Sequence, residues 1–281
     1  MNKTTAHKKS TNTSKYENNP FYIATKGIDL LFKYAPSIGI VIGVYLAVTL
    51  LSNFSGVFNP VPPAAEPSID NSSIMTIFEQ TPTEILLLGG IVIVLVLMLI
   101  IAVAIYISAV INYTTAKIAR HQNVTIGTAM SEAFKHFWGF AWLQVLIVFK
   151  IFLWSLLLII PGIIMAVRYS LAGVSYFDKD LRGNAAIKDS LALTKGAWLT
   201  TYASQYIMYF VTLGMAGELF VPGARALLYT QLNAVTSAGK VKPNAHVLSW
   251  IVLLLPFIVS LAVLALVSFA GANYEALGPS I

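Results

Sequence analysis

The chain has 281 residues, of which 57% are hydrophobic and only 11% charged, and it contains no cysteine. A soluble domain carries about 25% charged residues, so this composition argues against one, and without thiols disulfides and thiolate metal sites are excluded. The net charge of +6 would suggest a nucleic-acid partner in a soluble chain; here it reflects basic loops on one side of a membrane, and no nucleic-acid partner is expected.

Residues 1–20 are polar, rich in Lys, Thr, Ser and Asn, and read as a disordered cytoplasmic tail. The first apolar run begins too late for a cleavable signal peptide, so it is expected to stay as an anchor. Phe21 to Ala35 reads as a short amphipathic helix with Ile28, Leu31, Phe32 and Ala35 on one face. A first span then extends to about Ser52. The loop 53–84 carries four acids and neither Lys nor Arg. The second span, Ile85 to Asn112, is free of charge and exceeds the roughly 20 apolar residues that a bilayer core of ~30 Å requires. Lys and Arg mark cytoplasmic loops. They lie before the first span and after the second (Lys117, Arg120, Lys135), which predicts a cytoplasmic N-terminus and an external 53–84 loop.

Phe140 to Val167 has the length of one long span, but a single crossing would put Arg168, Lys179, Arg182, Lys188 and Lys195 outside. A reversal at Pro161-Gly162 avoids this, because proline lacks an amide donor and glycine tolerates a tight turn. The pattern then recurs. Lys135-His-Phe-Trp138, an apolar run, Pro161-Gly162 and Tyr169 are echoed by Lys195-Gly-Ala-Trp198, an apolar run, Pro222-Gly223 and Tyr229. Such self-similarity signals a duplicated supersecondary unit. The predicted unit is a surface helix, a span out, a turn at Pro-Gly and a return arm of only about 15 residues, short for a full crossing. The surface helices carry stripes at Met130, Ala133, Phe134, Phe137 and at Ile187, Leu191, Thr194, Trp198, with Asn184 as N-cap. Trp138 and Trp198 are the predicted interface anchors.

The predicted fold is therefore an all-α, polytopic transmembrane bundle of about five to seven spans. Its hairpins occupy 21–112, 125–183 and 184–245 of a helical membrane domain (21–245), and 246–281 forms a last span and short tail. No nucleophile elbow, phosphate-binding glycine loop or metal-ligand cluster is visible. Glu132 and His136 are one helical turn apart but lack a third ligand. Gly89-Gly90 and the Gly214, Gly217 pair read as helix-packing positions. Suspicion falls on charges within apolar segments, namely Lys150, Arg168, Glu218 and Arg225, which form a candidate polar cluster because a charge at mid-bilayer is costly. An ion pair between Glu218 and Arg168 is feasible, as a structural lock or as part of an anion cavity.

The run Ile160-Pro-Gly-Ile-Ile-Met-Ala-Val-Arg168-Tyr169-Ser170, with Asp178 and Asp180 near an acidic position and Ser190-Leu-Ala-Leu193-Thr194-Lys195-Gly196 beyond, resembles the glycerophosphoryl diester phosphodiesterase membrane-domain family and its bacterial relatives. The likeness covers about residues 125–245. It implies a polytopic bacterial membrane protein of about six core spans. The soluble phosphodiesterase domain of some members has no counterpart here, so no activity is carried over. The expected function is non-enzymatic binding of lipid, including anionic lipid, or of a membrane protein partner, through the cytoplasmic amphipathic helices and without a cofactor. The alternative is a small-solute or lipid transporter using Lys150, Arg168 and Glu218.

Overall fold

The computed structural model describes residues 16–58, 82–212, 217–242 and 244–276, and among these the regular structure is entirely helical. The helices are α1 (Pro20–Tyr34), α2 (Pro36–Phe58), α3 (Thr83–Ala119), α4 (Ile126–Lys135), α5 (Phe137–Leu157), α6 (Ile159–Tyr169), α7 (Ala172–Asp178), α8 (Asn184–Thr194), α9 (Trp198–Val211), α10 (Gly217–Ser237) and α11 (Val247–Ala276). The 53–84 loop lies mostly outside the described residues. Four segments are long and apolar enough to cross a membrane: α3, α5, the joined α6–α7 stretch Ile159–Asp178, and Val247–Phe269 of α11. The pair α1–α2, bent by 119° at Ala35, makes a fifth if it counts as one span. The protein is thus a helical membrane protein with four or five candidate spans among the described residues.

Local chemistry sets the boundaries. Asn19 caps α1, its Oδ1 accepting from the amides of Phe21 and Tyr22, and Pro20 takes the first helical position, where no amide donor is needed. Ala35 leaves the helical region ahead of Pro36, as residues before proline do. Thr125 and Thr128 cap α4 reciprocally. At the C-terminus of α3, His121 adopts a left-handed conformation (φ 56°) while Gln122 N donates to Lys117 O and His121 N to Ile118 O, a Schellman closure.

Helix α3 has 37 residues, ~55 Å at 1.5 Å per residue, which is longer than the hydrocarbon core. From Ile85 to Val103 almost every side chain is exposed, whereas Ala109, Asn112, Thr114, Thr115, Ala116 and Ile118 are buried. The apolar half of α3, and most of α5 and α11, face outward all round, as helices surrounded by lipid do. The core gathers at the other end. There Ile23 of α1, Ala116 of α3, Val174 of α7, Leu193 of α8 and Leu228 of α10 pack together, beside a second cluster built on Phe140, Tyr169, Tyr176 and Ile187.

The two hairpins differ from the expectation in where they turn. Between α5 and α6 the break is at Leu158 (φ −163°, ψ 145°), and Pro161-Gly162 lies inside the first turn of α6. The reason is the proline rule itself: the first turn of a helix is where a missing amide costs least. A Cβ on Gly162 would come within 2.2 Å of Ser155 Oγ, so this glycine serves close helix contact just below the turn. The return arm is accordingly longer than predicted, 20 residues from Ile159 to Asp178, enough to cross. In the second hairpin Pro222 and Gly223 lie within α10, and the residues between α9 and α10, 213–216, lie outside the described residues. Helix α9 has 14 residues, ~21 Å, and neither it nor α10 is among the candidate spans. This pair is held inside the bundle by α1 and α11, in keeping with a return arm too short for a full crossing.

The amphipathic elements also divide. Helix α1 buries Ile23, Ala24, Gly27 and Leu31 against the bundle, while Phe32 is exposed and Ile28 half-buried, so its inner face is rotated from the predicted one. Helix α4 buries Ala129 and Ala133 and exposes Met130, Phe134 and, just beyond, Trp138. Helix α8 buries Ala186, Ile187, Ser190, Leu193 and Thr194 and exposes only polar and small residues, so it is a bundle helix. Asn184 is its first helical residue, and Gly183 holds the cap position with φ 48°. Gly89 and Gly90 have open space around them, so no described helix packs against them, and Gly214 lies outside the described residues.

Candidate functional site

At the polar end of the bundle, charged side chains join the helices. Asp178, ending α7, accepts from Arg120 Nε at 2.5 Å and from Tyr229 Oη at 2.8 Å, tying α3 and α10 to α7. Lys179 meets both carboxylate oxygens of Asp189 at 2.9 Å. Lys242 donates to the carbonyls of Ala192, Leu193 and Lys195 at 3.2, 2.6 and 3.0 Å. These are open carbonyls at the end of α8, where a cation also opposes the helix dipole. Burial, with Lys195 close by, holds the Lys242 amine below the ordinary lysine range. On α4, Glu132 accepts from Lys135 at 2.6 Å, which pulls its carboxyl below the usual range, and the His136 ring donates to the Glu132 carbonyl at 2.9 Å.

The motif residues of the second half meet in this layer. Ser190 Oγ and Thr194 Oγ1 of α8 both donate to the Arg168 carbonyl of α6, at 2.6 and 3.3 Å. The Arg168 side chain donates back to Leu191 O at 3.3 Å, leaving its buried Nε without a partner. Gly196 follows with φ 75°, a conformation costly for other residues. The Arg, Ser, Thr and Gly of the motif therefore serve helix docking.

A different chemistry lies one layer deeper. Arg225 of α10 stands one helical turn, ~6 Å, inside Tyr229. Its Nε and Nη2 donate to a single acceptor, Gln205 Oε1 of α9, at 3.2 and 2.9 Å. Gln205 in turn donates to Thr201 O at 3.0 Å and Ser170 Oγ at 3.3 Å. Among the described residues no carboxylate forms an ion pair with Arg225. Two cavities adjoin the guanidinium. One, of about 210 Å³, is lined by Ser170, Tyr202, Gln205 and Tyr206. The other, of about 470 Å³, is lined by Ser108, Asn112, Tyr209 and Pro222. Asn112 is 5% exposed and its Oδ1 has no hydrogen-bond partner; Gly173 makes room for this amide, since a Cβ there would lie 2.5 Å from Oδ1.

The predicted cluster of four charges is therefore spread out. Arg225 lines the cavities. Arg168 is engaged with α8. Lys150 is half-buried on the inner face of α5 and has no hydrogen-bond or ion-pair partner among the described residues. The Glu218 side chain lies outside the described residues, and with it the proposed Glu218–Arg168 pair. Trp138 is 83% exposed, as a membrane anchor requires, while Trp198 is half-buried. The sequence reading missed Gln205, Asn112, Ser108 and the tyrosine ladder 202, 206, 209, whose neighbouring ring centroids are 5.0 and 5.8 Å apart. The available signal was the i, i+4 recurrence of polar groups on α9 and α3, unusual in so apolar a chain. No protein-family model, curated protein or solved structure matches this chain, so function rests on the site itself.

Proposed function

We propose that the chain is a non-enzymatic protein of a bacterial inner membrane, with its N-terminus in the cytoplasm, that binds an anionic lipid by its charged group at Arg225. The observation that carries this reading is a guanidinium held, among the described residues, by one neutral acceptor between two cavities, where Arg120, Lys179 and Arg182 each have a carboxylate. An arginine in a low-dielectric site needs compensating charge or rich hydrogen bonding, and its planar fork suits phosphate or carboxylate oxygens. Its depth below the polar layer matches a headgroup drawn slightly inward from the cytoplasmic leaflet. Helix α4 supports the same placement, since exposed Met130, Phe134 and Trp138 beside Lys135 make an interfacial anchor. Basic groups at this face also favour anionic lipid.

The test compares thermal unfolding in neutral detergent with added phosphatidylglycerol or phosphatidylcholine. A ligand that binds the folded state raises Tm by mass action. Phosphatidylglycerol is expected to stabilise the native protein more than phosphatidylcholine does, Arg225→Gln to remove the difference, and Arg225→Lys to keep part of it. Equal responses in the native protein and Arg225→Gln would overturn the reading.

A further inference from the structure

We infer that the ligand is an anionic amphiphile whose acyl chain leaves the Arg225 cavity over α3 and lies in the groove between α3 and α5; this rests on the reading of Arg225 as the anion site. The groove, about 660 Å³, is lined by Ile101, Ile105, Val145, Val148, Phe149 and Phe152, and is within the ~300–1,000 Å³ of ligand pockets. It shares Ala104 and Ser108 with the cavity that reaches Arg225. These residues are one turn apart and both small, so the ridge of α3 between the two spaces is low, a saddle that a chain can cross.

The chemistry along the path changes in the order an amphiphile needs. The outer groove is aromatic and aliphatic. At the saddle, Gln144 Nε2 donates to Ser108 Oγ at 3.2 Å, a neutral polar pair at the level of an ester or hydroxyl. Beyond it come Asn112 and then the Arg225 guanidinium. From Ile101 to Asn112 is ~16 Å along α3, so headgroup and upper chain fit within one leaflet. Neighbouring bulk lipid, which has no reason to choose this groove over the rest of α3, would show neither the charge preference nor the position.

The experiment uses the absence of native cysteine. Val148→Cys, at a site 64% exposed, is labelled with bimane and the protein reconstituted in phosphatidylcholine vesicles. Lysophosphatidate carrying a nitroxide on its acyl chain is titrated in, with the same label on lysophosphatidylcholine as the neutral reference. The anionic probe is expected to quench at roughly tenfold lower mole fraction, the factor of one charge-assisted hydrogen bond. Ile91→Cys, on the outer half of α3, should show no such preference. Arg225→Gln and Ala104→Phe should each abolish it at Val148→Cys, the latter by filling the saddle from an exposed position that tolerates bulk.

If Ala104→Phe leaves the preference intact while Arg225→Gln removes it, the anion site stands and the chain path is wrong. If neither variant matters, or Ile91→Cys is quenched equally, both are wrong. Glycerol 3-phosphate competing as well as unlabelled lysophosphatidate would identify a soluble phosphate as the ligand and overturn the chain seat alone. Arg225→Lys is expected to keep part of the preference, which separates loss of charge from loss of fold.

Discussion

Asp178 and Arg225 show how one bundle treats charge in two ways. Asp178 has a side chain 11% exposed and two donors, Arg120 and Tyr229, so its charge is compensated. Asp178→Ala would leave a buried tyrosine hydroxyl and a half-exposed guanidinium without their acceptor. Hydrogen bonds to charged groups contribute about 1.5–3 kcal/mol, and the exposure of Arg120 argues for the lower end. A drop of several degrees in Tm in detergent is expected for Asp178→Ala, and a smaller one for Tyr229→Phe; no change in either would show that the clamp carries no stability. Arg225, by contrast, is expected to tolerate Gln in the absence of lipid, because its one described acceptor is neutral. The sequence marked Arg225 as an unusual charge, since intramembrane arginines stand out by cost alone. Its partner was not legible. Gln205 and Arg225 meet because α10 already includes Pro222 and Gly223, whereas a turn at that pair puts the two side chains at different depths.

At Gly27 and Gly223, helices α1 and α10 approach so closely that no side chain fits between them. A Cβ built on Gly223 would lie 1.9 Å from Gly27 O, and one on Gly27 would lie 2.2 Å from Ala224 N. Both obstacles are backbone, which no rotamer change can relieve, so the helices themselves would have to separate. Small residues that allow such contact are the usual means of joining helices in lipid, where burial alone gives little drive. Gly223→Ala and Gly27→Ala are therefore expected to lower Tm strongly, whereas Gly43→Ala, with open space around it, should be neutral or slightly stabilising through helix propensity. Equal behaviour of the three would refute the contact. The Pro-Gly pairs were legible as special positions but their meaning was not: proline and glycine at a helix start and at a close crossing leave the same trace in sequence as at a turn. The same ambiguity affected α4 and α8. Both have helical periodicity, yet only α4 turns an apolar stripe outward, and the difference lies in which neighbours cover each helix, which periodicity does not encode.

At the scale of the whole molecule, ion pairs and hydrogen bonds collect Arg120, Lys179, Arg182 and Lys242 at one end, and apolar helices project from the other. This polarity was readable from the chain, because blocks of uncharged residues and basic loops alternate along it. The number of crossings was not, because α9 and α10 carry enough buried Thr, Ser and Gln to sit within the protein and enough apolar residues to resemble spans. If basic loops face the cytoplasm, the polar end is inside and the acidic 53–84 loop outside. Single cysteines at Ser72, Asn184 and Ser237, in a chain that has none, test this in intact cells with an impermeant thiol reagent. Asn184 is preferred to its neighbour Gly183, whose φ of 48° would strain a cysteine. Ser72→Cys alone is expected to label, with Asn184→Cys and Ser237→Cys reacting only after the cells are opened. Labelling of Asn184→Cys from outside would turn the polar end outward. A lipid proposed for Arg225 would then have to come from the outer leaflet, where the attraction of basic residues to the anionic cytoplasmic surface no longer supports it.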